Sequence, residues 1–208
     1  MKLETMVLGP LETNCYLLWD EQTMEAAVID PGASGQKIAD RLAQNGLMLR
    51  MILLTHAHFD HILSLERVRK ATGAPLTAHR YDAPALADPS ISYMSQYAGK
   101  NSPEEPPESL LDDGDTITIG ESVLRVMHTP GHTPGSVIYI SEEPRFILSG
   151  DTLFAGSVGR CDLFGGDEEA LHESLERIKA LSGNYTVLPG HGGSTDLQRE
   201  RADNIFLR

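Results

Sequence analysis

Short apolar runs recur along the chain, and most of them stop at a residue that favours turns. Runs of this kind, bounded by Gly, Pro, Asn or Asp, are typical of buried β-strands. The pattern predicts strands over these ranges: Leu3–Leu8, Cys15–Trp19, Ala26–Asp30, Met51–Thr55, Leu76–Ala78, Thr116–Ile119, Val123–Met127, Val137–Ile140, Phe146–Leu148 and Tyr185–Leu188.

Helical spacing of apolar residues appears between these runs. Ser34 and Gly46 are suited to begin and close the first helix. The predicted helices are Gln36–Gln44, Ile62 to Gly73, a short one within 80–87, Asp167–Leu181 and Thr195–Phe206. Strands and helices thus form two successive strand-rich halves, which predicts two sheets packed face to face with helices outside.

The segment from Asp88 to Gly114 shows neither period. It contains four prolines and several acidic residues. A connection of this length inside a compact domain is usually a lid, a binding loop or a flexible segment. We therefore expect one of these three roles for it.

Composition narrows the class of protein. A chain of 208 residues with 40% hydrophobic content can bury a large core. The net charge of −13 argues against nucleic-acid and anionic-membrane partners. Cys15 and Cys161 are too few for a disulfide framework. The first residues lack the apolar core of a signal peptide, and no apolar window is long enough to span a membrane. We expect a cytoplasmic protein.

Histidine and aspartate side chains follow four of the predicted strands. Sheets flanked by helices place their sites just past strand ends, so these side chains can converge on one pocket. Five imidazoles and two carboxylates are too many for one tetrahedral zinc, but they suit two metals that share a carboxylate and a water. The candidate ligands are His56, His58, Asp60, His61, His132, Asp151 and His191.

Each candidate also has a structural interpretation. Asp60 could cap the helix that follows it. His132 and His191 could be turn residues, and Asp151 could bond its own backbone. We favour the metal interpretation because it accounts for all four places together. Three other histidines lie outside any motif, and we interpret them as structural or surface residues: His79, His128 and His172.

The segment Thr55-His56-Ala57-His58-Phe59-Asp60-His61 resembles the His-x-His-x-Asp-His signature of the metallo-β-lactamase superfamily. The later ligands are similar in order and spacing, and the resemblance covers essentially the whole chain. It implies an αββα sandwich of the α/β class (α+β in some schemes), as a single domain over residues 1–208. It also implies two divalent metal ions, with zinc favoured and iron or manganese as alternatives.

The same resemblance implies a role for each ligand. His56, His58 and His132 would hold the first metal. Asp60, His61 and His191 would hold the second. Asp151 would bridge the two ions, and Asp60 and Asp151 would be the catalytic carboxylates.

The segment Gly150–Asp167 is similar to the glyoxalase II branch, especially its short single-domain members. The resemblance implies hydrolysis of an acyl-thiol such as S-lactoylglutathione, with a metal-bridging hydroxide as nucleophile. Only 17 residues follow His191, so we expect no separate C-terminal helical domain for glutathione. Asp151 stands where β-lactamases of this type often carry Cys, and the acidity argues against the RNA- and DNA-processing branches.

Two alternatives remain open. Persulfide dioxygenases share the Gly-Arg-x-Asp pattern, and their single iron would take His56, His132 and Asp151. A non-catalytic metal-binding protein ranks lower, because no ligand is missing.

Arg160 could anchor a substrate carboxylate or pair with Asp162. We interpret Cys161 as a packing residue. The acyl group, the thiol carrier, the metal and the oligomeric state stay open.

Overall fold

The computed structural model describes residues 1–208. Its first six strands form one sheet in chain order, with the first three antiparallel and the rest parallel. They are β1 (Lys2–Leu8), β2 (Thr13–Trp19), β3 (Glu25–Ile29), β4 (Met48–Leu53), β5 (Leu76–His79) and β6 (Ser109–Leu111).

The second sheet also has six strands, and its chain order is permuted. Its order is β14-β13-β10-β9-β8-β7, with β10 and β13 parallel and the other pairs antiparallel. The strands are β7 (Thr116–Ile119), β8 (Ser122–His128), β9 (Val137–Glu142), β10 (Arg145–Gly150), β13 (Thr186–Pro189) and β14 (Thr195–Asp196). A two-stranded hairpin, β11 (Leu153–Phe154) and β12 (Ser157–Val158), follows β10.

Seven helices accompany the sheets. They are α1 (Gly35–Gln44), α2 (Phe59–Ile62), α3 (Leu65–Thr72), α4 (Ala83–Ala87), α5 (Met94–Ala98), α6 (Glu168–Lys179) and α7 (Leu197–Asp203). The predicted helix Asp167–Leu181 is confirmed as α6 with shifted ends, and Asp167 is its cap, because the Asp167 side chain accepts from the Ala170 N–H at 3.0 Å.

Three apolar layers hold these elements together. Successive residues of a strand face opposite sides, so Leu17 packs among the residues of α1 and α3, whereas Leu18 packs among residues of the second sheet. On the far side of the second sheet, Ile147 packs against Leu171 and Leu175 of α6. The order of layers is helix, sheet, sheet, helix, as the sequence predicts.

Most predicted strands are confirmed with small shifts of their ends, but the helix from Ile62 to Gly73 is wrong as one element. It is split into α2 and α3. The Ser64 N–H donates to Pro31 O at 3.0 Å, so it is unavailable to the helical ladder. The predicted cap at Ser34 is also wrong, since its side chain makes no cap bond. The Gly35 N–H instead donates to Ser64 Oγ at 2.9 Å.

Two further segments differ from their predictions. The stretch from Asp88 to Gly114 contains α5 and the edge strand β6, which pairs with β5 through contacts that no local pattern shows. The terminal helix is shorter than Thr195–Phe206, because Thr195–Asp196 pairs with β13 before α7 begins. None of the helices is long and apolar enough to cross a membrane.

The fully buried hydroxyl of Tyr139 in β9 donates to Leu54 O, just past the end of β4, at 2.7 Å. Tyr139→Phe leaves that carbonyl without this partner, which should lower the free energy of unfolding by about 1–2 kcal/mol. Urea denaturation followed by circular dichroism measures the change. Tyr97 is 62% exposed, so Tyr97→Phe is the control, and equal stabilities of the two variants would contradict the prediction.

Candidate metal centre

The seven predicted ligands meet at one end of the sandwich. His56 and His58 lie in the turn after β4, whereas Asp60 and His61 lie in α2. The other three ligands come from the second sheet: His132 between β8 and β9, Asp151 after β10 and His191 after β13. The site therefore forms only where the ends of both sheets come together.

Hydrogen bonds fix which nitrogen of two histidines carries the proton. His132 Nδ1 lies 2.8 Å from Arg160 O, and His191 Nδ1 lies 3.0 Å from Leu11 O. A carbonyl oxygen only accepts hydrogen bonds, so Nδ1 is the donor in both rings. The Nε2 lone pair of each ring is left facing the centre.

Two more histidines are oriented through Asp30. His61 Nδ1 donates to Asp30 Oδ2 at 3.0 Å. The Thr55 hydroxyl donates to the same carboxylate oxygen at 2.6 Å, so its own oxygen accepts from His56 Nδ1 at 3.1 Å. His56 and His61 therefore also present Nε2 to the centre. A hydrogen bond from the distal ring nitrogen is the usual way in which proteins orient metal-binding histidines.

The ligands divide into two sets of three. In each set the ligand atoms lie within 4.8 Å of one another. In the first set, His58 Nδ1 lies 2.9 Å from His132 Nε2, and His56 is the third member. The second set has His191 Nε2 3.3 Å from His61 Nε2 and 3.1 Å from the carboxylate of Asp60. These are the two sets that the superfamily resemblance implies.

Asp151 reaches both sets. Its Oδ1 lies 3.4 Å from His61 Nε2, while its Oδ2 lies 3.7 Å from His132 Nε2 and 3.6 Å from His191 Nε2. A Cβ at position 190 would lie 2.1 Å from Asp151 Oδ1, so only Gly190 permits this approach. Asp151 therefore lies between the two sets, where the superfamily resemblance implies a bridging ligand.

The structural interpretation of Asp60 is excluded. Asp60 is inside α2, the N-cap position belongs to His58, and no side chain caps the helix. The Asp60 carboxylate instead accepts from the Thr13 hydroxyl at 3.1 Å and faces His191.

Burial and neighbouring charges together set the pKa values of the titrating groups in the site. Burial and neighbouring His132 lower the pKa of His58 to about 3, which keeps it neutral. Burial also opposes a charge on His61, but the carboxylates of Asp151, Asp30 and Asp60 outweigh it and raise the His61 pKa. Burial favours the neutral form of Asp151, yet the nearby histidines outweigh it and lower the Asp151 pKa.

The donor set fits two divalent cations. His56 Nε2 and Asp151 Oδ1 are buried without a hydrogen-bond partner, whereas buried polar atoms are nearly always paired. Imidazole and carboxylate ligands suit zinc, iron and manganese. Asp30, His56 and His61 also lie close together, but Asp30 is already engaged by Thr55 and His61. Asp30 is thus a hydrogen-bonding support for the ligands and makes no third metal set.

Asp82 is a residue of the site that the sequence did not reveal. Its fully buried carboxylate accepts from Ala57 N at 2.8 Å, from Gly135 N at 2.7 Å and from Thr133 Oγ1 at 2.9 Å. It therefore joins the turn that carries His56 and His58 to the turn that carries His132. Only its place before a short helix was visible in the sequence, and that place indicates no more than a cap.

Asn14 and Tyr16 of β2 are two further residues that were missed. Asn14 Nδ2 donates to Pro189 O at 2.8 Å and to Gly192 O at 2.9 Å, and the Tyr16 hydroxyl donates to Pro189 O at 2.6 Å. These bonds hold the turn around His191. Their partners lie in the other half of the chain, so no local motif signals them.

The remaining candidates lie outside the ligand cluster. Arg160 pairs with Asp162 at 2.6 Å and 2.7 Å, and both side chains are exposed. Cys161 is half-buried against the α6 layer. His79 and His128 stack at a centroid distance of 4.0 Å, and His172 is exposed on α6.

A family comparison agrees with this geometry. The family model of the metallo-beta-lactamase superfamily matches residues 8–191. The chain belongs to this superfamily. A relative from Bacillus subtilis, "Probable metallo-hydrolase YqgX", is 39% identical over 100% of this chain and 98% of its own. "Hydroxyacylglutathione hydrolase GloC" of Haemophilus influenzae is 28% identical over the same shares.

Solved structures show the same fold over nearly the whole chain. The crystal structure of the BLEG-1 B3 metallo-beta-lactamase has a TM-score of 0.93 and 37% identity, and the match covers 99% of each chain. The structure of TTHA1623 in a di-iron-bound form has a TM-score of 0.86 and 36% identity, covering 98% of this chain and 100% of the other. Members of the superfamily bind divalent metals.

Asp151→Asn tests the bridging position. It removes the negative charge that lies between the two ligand sets, so metal content should fall below two ions per chain and hydrolytic activity should drop by roughly 100-fold or more. Elemental analysis after dialysis against zinc gives the stoichiometry, and circular dichroism confirms that the fold survives. Two bound ions with full activity in this variant would show that Asp151 has a structural role only.

Asp82→Asn tests the support of the first ligand set. An amide offers one accepting oxygen where three donors converge, so we expect about 10–100-fold weaker binding of the metal held by His56, His58 and His132. Competition with a chromogenic chelator resolves the two affinities. Asp88→Asn removes an exposed carboxylate from the same segment and is the control. Unchanged affinities in both variants would remove Asp82 from the site.

Proposed function

We propose that this protein is a dinuclear metal-dependent hydrolase of thioesters, with S-lactoylglutathione or a related acyl-thiol as substrate. The observation that carries the proposal is the pair of ligand sets joined by Asp151. Four histidines in these sets have their free nitrogen fixed toward the centre by hydrogen bonds. Zinc is the metal that we propose first, with iron or manganese as alternatives.

The two cations, when bound, lower the pKa of water toward ~7 and so supply hydroxide at neutral pH. The residues of the chain position the reaction. Asp151 reaches both ligand sets, and Asp60 presents a carboxylate beside His191. Nearby histidines outweigh burial and keep the Asp60 pKa below its usual range, so this carboxylate is ionised at neutral pH.

Thioesters suit this site because of their leaving group. A thiol has a pKa of ~8.5 and leaves as a thiolate without a strong general acid. The pKa values of the two carboxylates among the ligands, Asp60 and Asp151, are lowered by neighbouring histidines, which outweigh burial, so neither is a strong general acid at neutral pH. The full-length similarity to a protein named hydroxyacylglutathione hydrolase supports the same chemistry.

β-Lactam hydrolysis is a second candidate, because the BLEG-1 B3 metallo-beta-lactamase is 37% identical with almost complete coverage. A persulfide dioxygenase with one iron is the third. Protein purified without added metal should be analysed for metals and then assayed with three substrates. Two metals with thiol release from S-lactoylglutathione support the proposal. Cleavage of a β-lactam alone, or one iron with oxygen uptake on glutathione persulfide, would contradict it.

Selectivity for glutathione should be weak. The guanidinium of Arg160, which could hold a substrate carboxylate, is already occupied by Asp162. We expect kcat/KM for S-lactoylglutathione and for a lactoyl thioester of a small neutral thiol to agree within about tenfold. The reason is that a glutathione carboxylate must compete with Asp162 for the exposed guanidinium of Arg160. A low KM for the glutathione ester alone would refute this expectation.

Asp162→Asn should release Arg160 and lower KM for the glutathione ester up to about fivefold, the equivalent of one exposed ion pair. The neutral ester should show no change, because it has no carboxylate for Arg160 to bind. Glu173→Gln removes an exposed charge from α6 and is the matched control. Steady-state kinetics with both esters make the comparison, and equal effects on the two esters would exclude Arg160 from substrate binding.

A further inference from the structure

A small pocket lies beside His58 of the first ligand set. Its volume is about 280 Å³, and Ala57, His58, Thr133 and Pro134 form the side nearest the metal ligands. Thr133 and Pro134 directly follow His132 in the chain. The pocket is therefore built on the two turns that carry the first ligand set.

Asp82 and Thr133, two polar residues of its wall, are already engaged by hydrogen bonds. Both oxygens of Asp82 accept hydrogen bonds from Ala57, Gly135 and Thr133. The Thr133 hydroxyl also lies 2.8 Å from Ser136 Oγ. A ligand in the pocket thus meets walls without a free charge, lined further by Ala85, Ile91 and Phe164.

Two aromatic residues border the pocket and remain open to solvent. Tyr81 is 60% exposed and Phe164 is 61% exposed, although both line the pocket. The Phe164 N–H donates to the Tyr93 hydroxyl at 2.8 Å, and the Tyr93 ring lies 5.8 Å from that of His58. Through Tyr93, Phe164 at the mouth of the pocket is therefore connected to His58 of the first ligand set.

We infer that this pocket is the acyl subsite and that the substrate carries an apolar acyl chain of about four to six carbons. The volume of about 280 Å³ holds at most about nine groups of ~30 Å³, the share of one water in the liquid, so a chain of four to six carbons fits within it. The inference rests on the proposed thioester hydrolysis and names its substrate class.

We assign the pocket to the acyl part of the substrate, and not to its thiol part, because the pocket is unsuited to a charged thiol carrier. Burying a carboxylate without a partner is costly, and no lysine or arginine lines this pocket. An alkyl chain loses nothing by leaving water, and its burial adds favourable free energy with each methylene.

The test is a series of acetyl, butanoyl and hexanoyl thioesters of one small neutral thiol, assayed with the zinc-loaded protein. We expect kcat/KM to rise about two- to fourfold for each added methylene. Ala85→Leu narrows the pocket and should reduce the hexanoyl value about tenfold more than the acetyl value. Ala87→Leu places the same side chain on an exposed position of α4 and is the matched control.

A binding measurement separates this inference from the proposed function. Calorimetric titration with hexanoate and acetate needs no turnover. Tighter binding of hexanoate, lost in Ala85→Leu and kept in Ala87→Leu, supports the subsite even if no thioester is cleaved. A flat thioester series, equal effects of the two variants, or equal binding of both acids overturns it. If Ala85→Leu fails to fold, Ile91→Ala replaces it and should weaken hexanoate binding selectively.

Discussion

The centre depends on one constraint: a proton must sit on the outer nitrogen of each ring that points its inner nitrogen at the site. Arg160 O, Leu11 O and the Asp30 carboxylate impose it by accepting from His132, His191 and His61. A backbone carbonyl and an ionised carboxylate can only accept hydrogen bonds, so the ring nitrogen must be the donor. The fold therefore selects the tautomer, and with it the direction of each lone pair.

The same constraint links stability to the site. The acceptor that orients His191 is Leu11 O, which lies in the other half of the chain, so it is in place only when the two sheets are packed. Tyr16 and Tyr139 show how this packing is secured, because each hydroxyl crosses from one sheet to a backbone carbonyl of the other, next to a ligand turn. Loss of either bond would disturb a ligand turn and the sheet packing together.

The sequence could predict those parts of the structure whose cause is local. The strands, helix α6 and the seven candidate ligands were visible as apolar runs, helical periods or motif spacings. It could not predict Asp82, whose three donors lie 25 to 53 residues away, or Asn14, whose acceptors are in the other half of the chain. The strand β6 within the segment from Asp88 to Gly114 was not predicted for the same reason, since it forms through pairing with β5.

Asp82 also links the first ligand set to the proposed acyl pocket. One carboxylate joins both ligand turns of the first set, and both of its oxygens accept hydrogen bonds from Ala57, Gly135 and Thr133. A carboxylate without such donors would demand a cation or a polar ligand in the pocket. With these donors in place, the pocket that we propose for the acyl chain can take an alkyl group beside His58. The geometry of the ligands and the chemistry of the pocket therefore have a common origin.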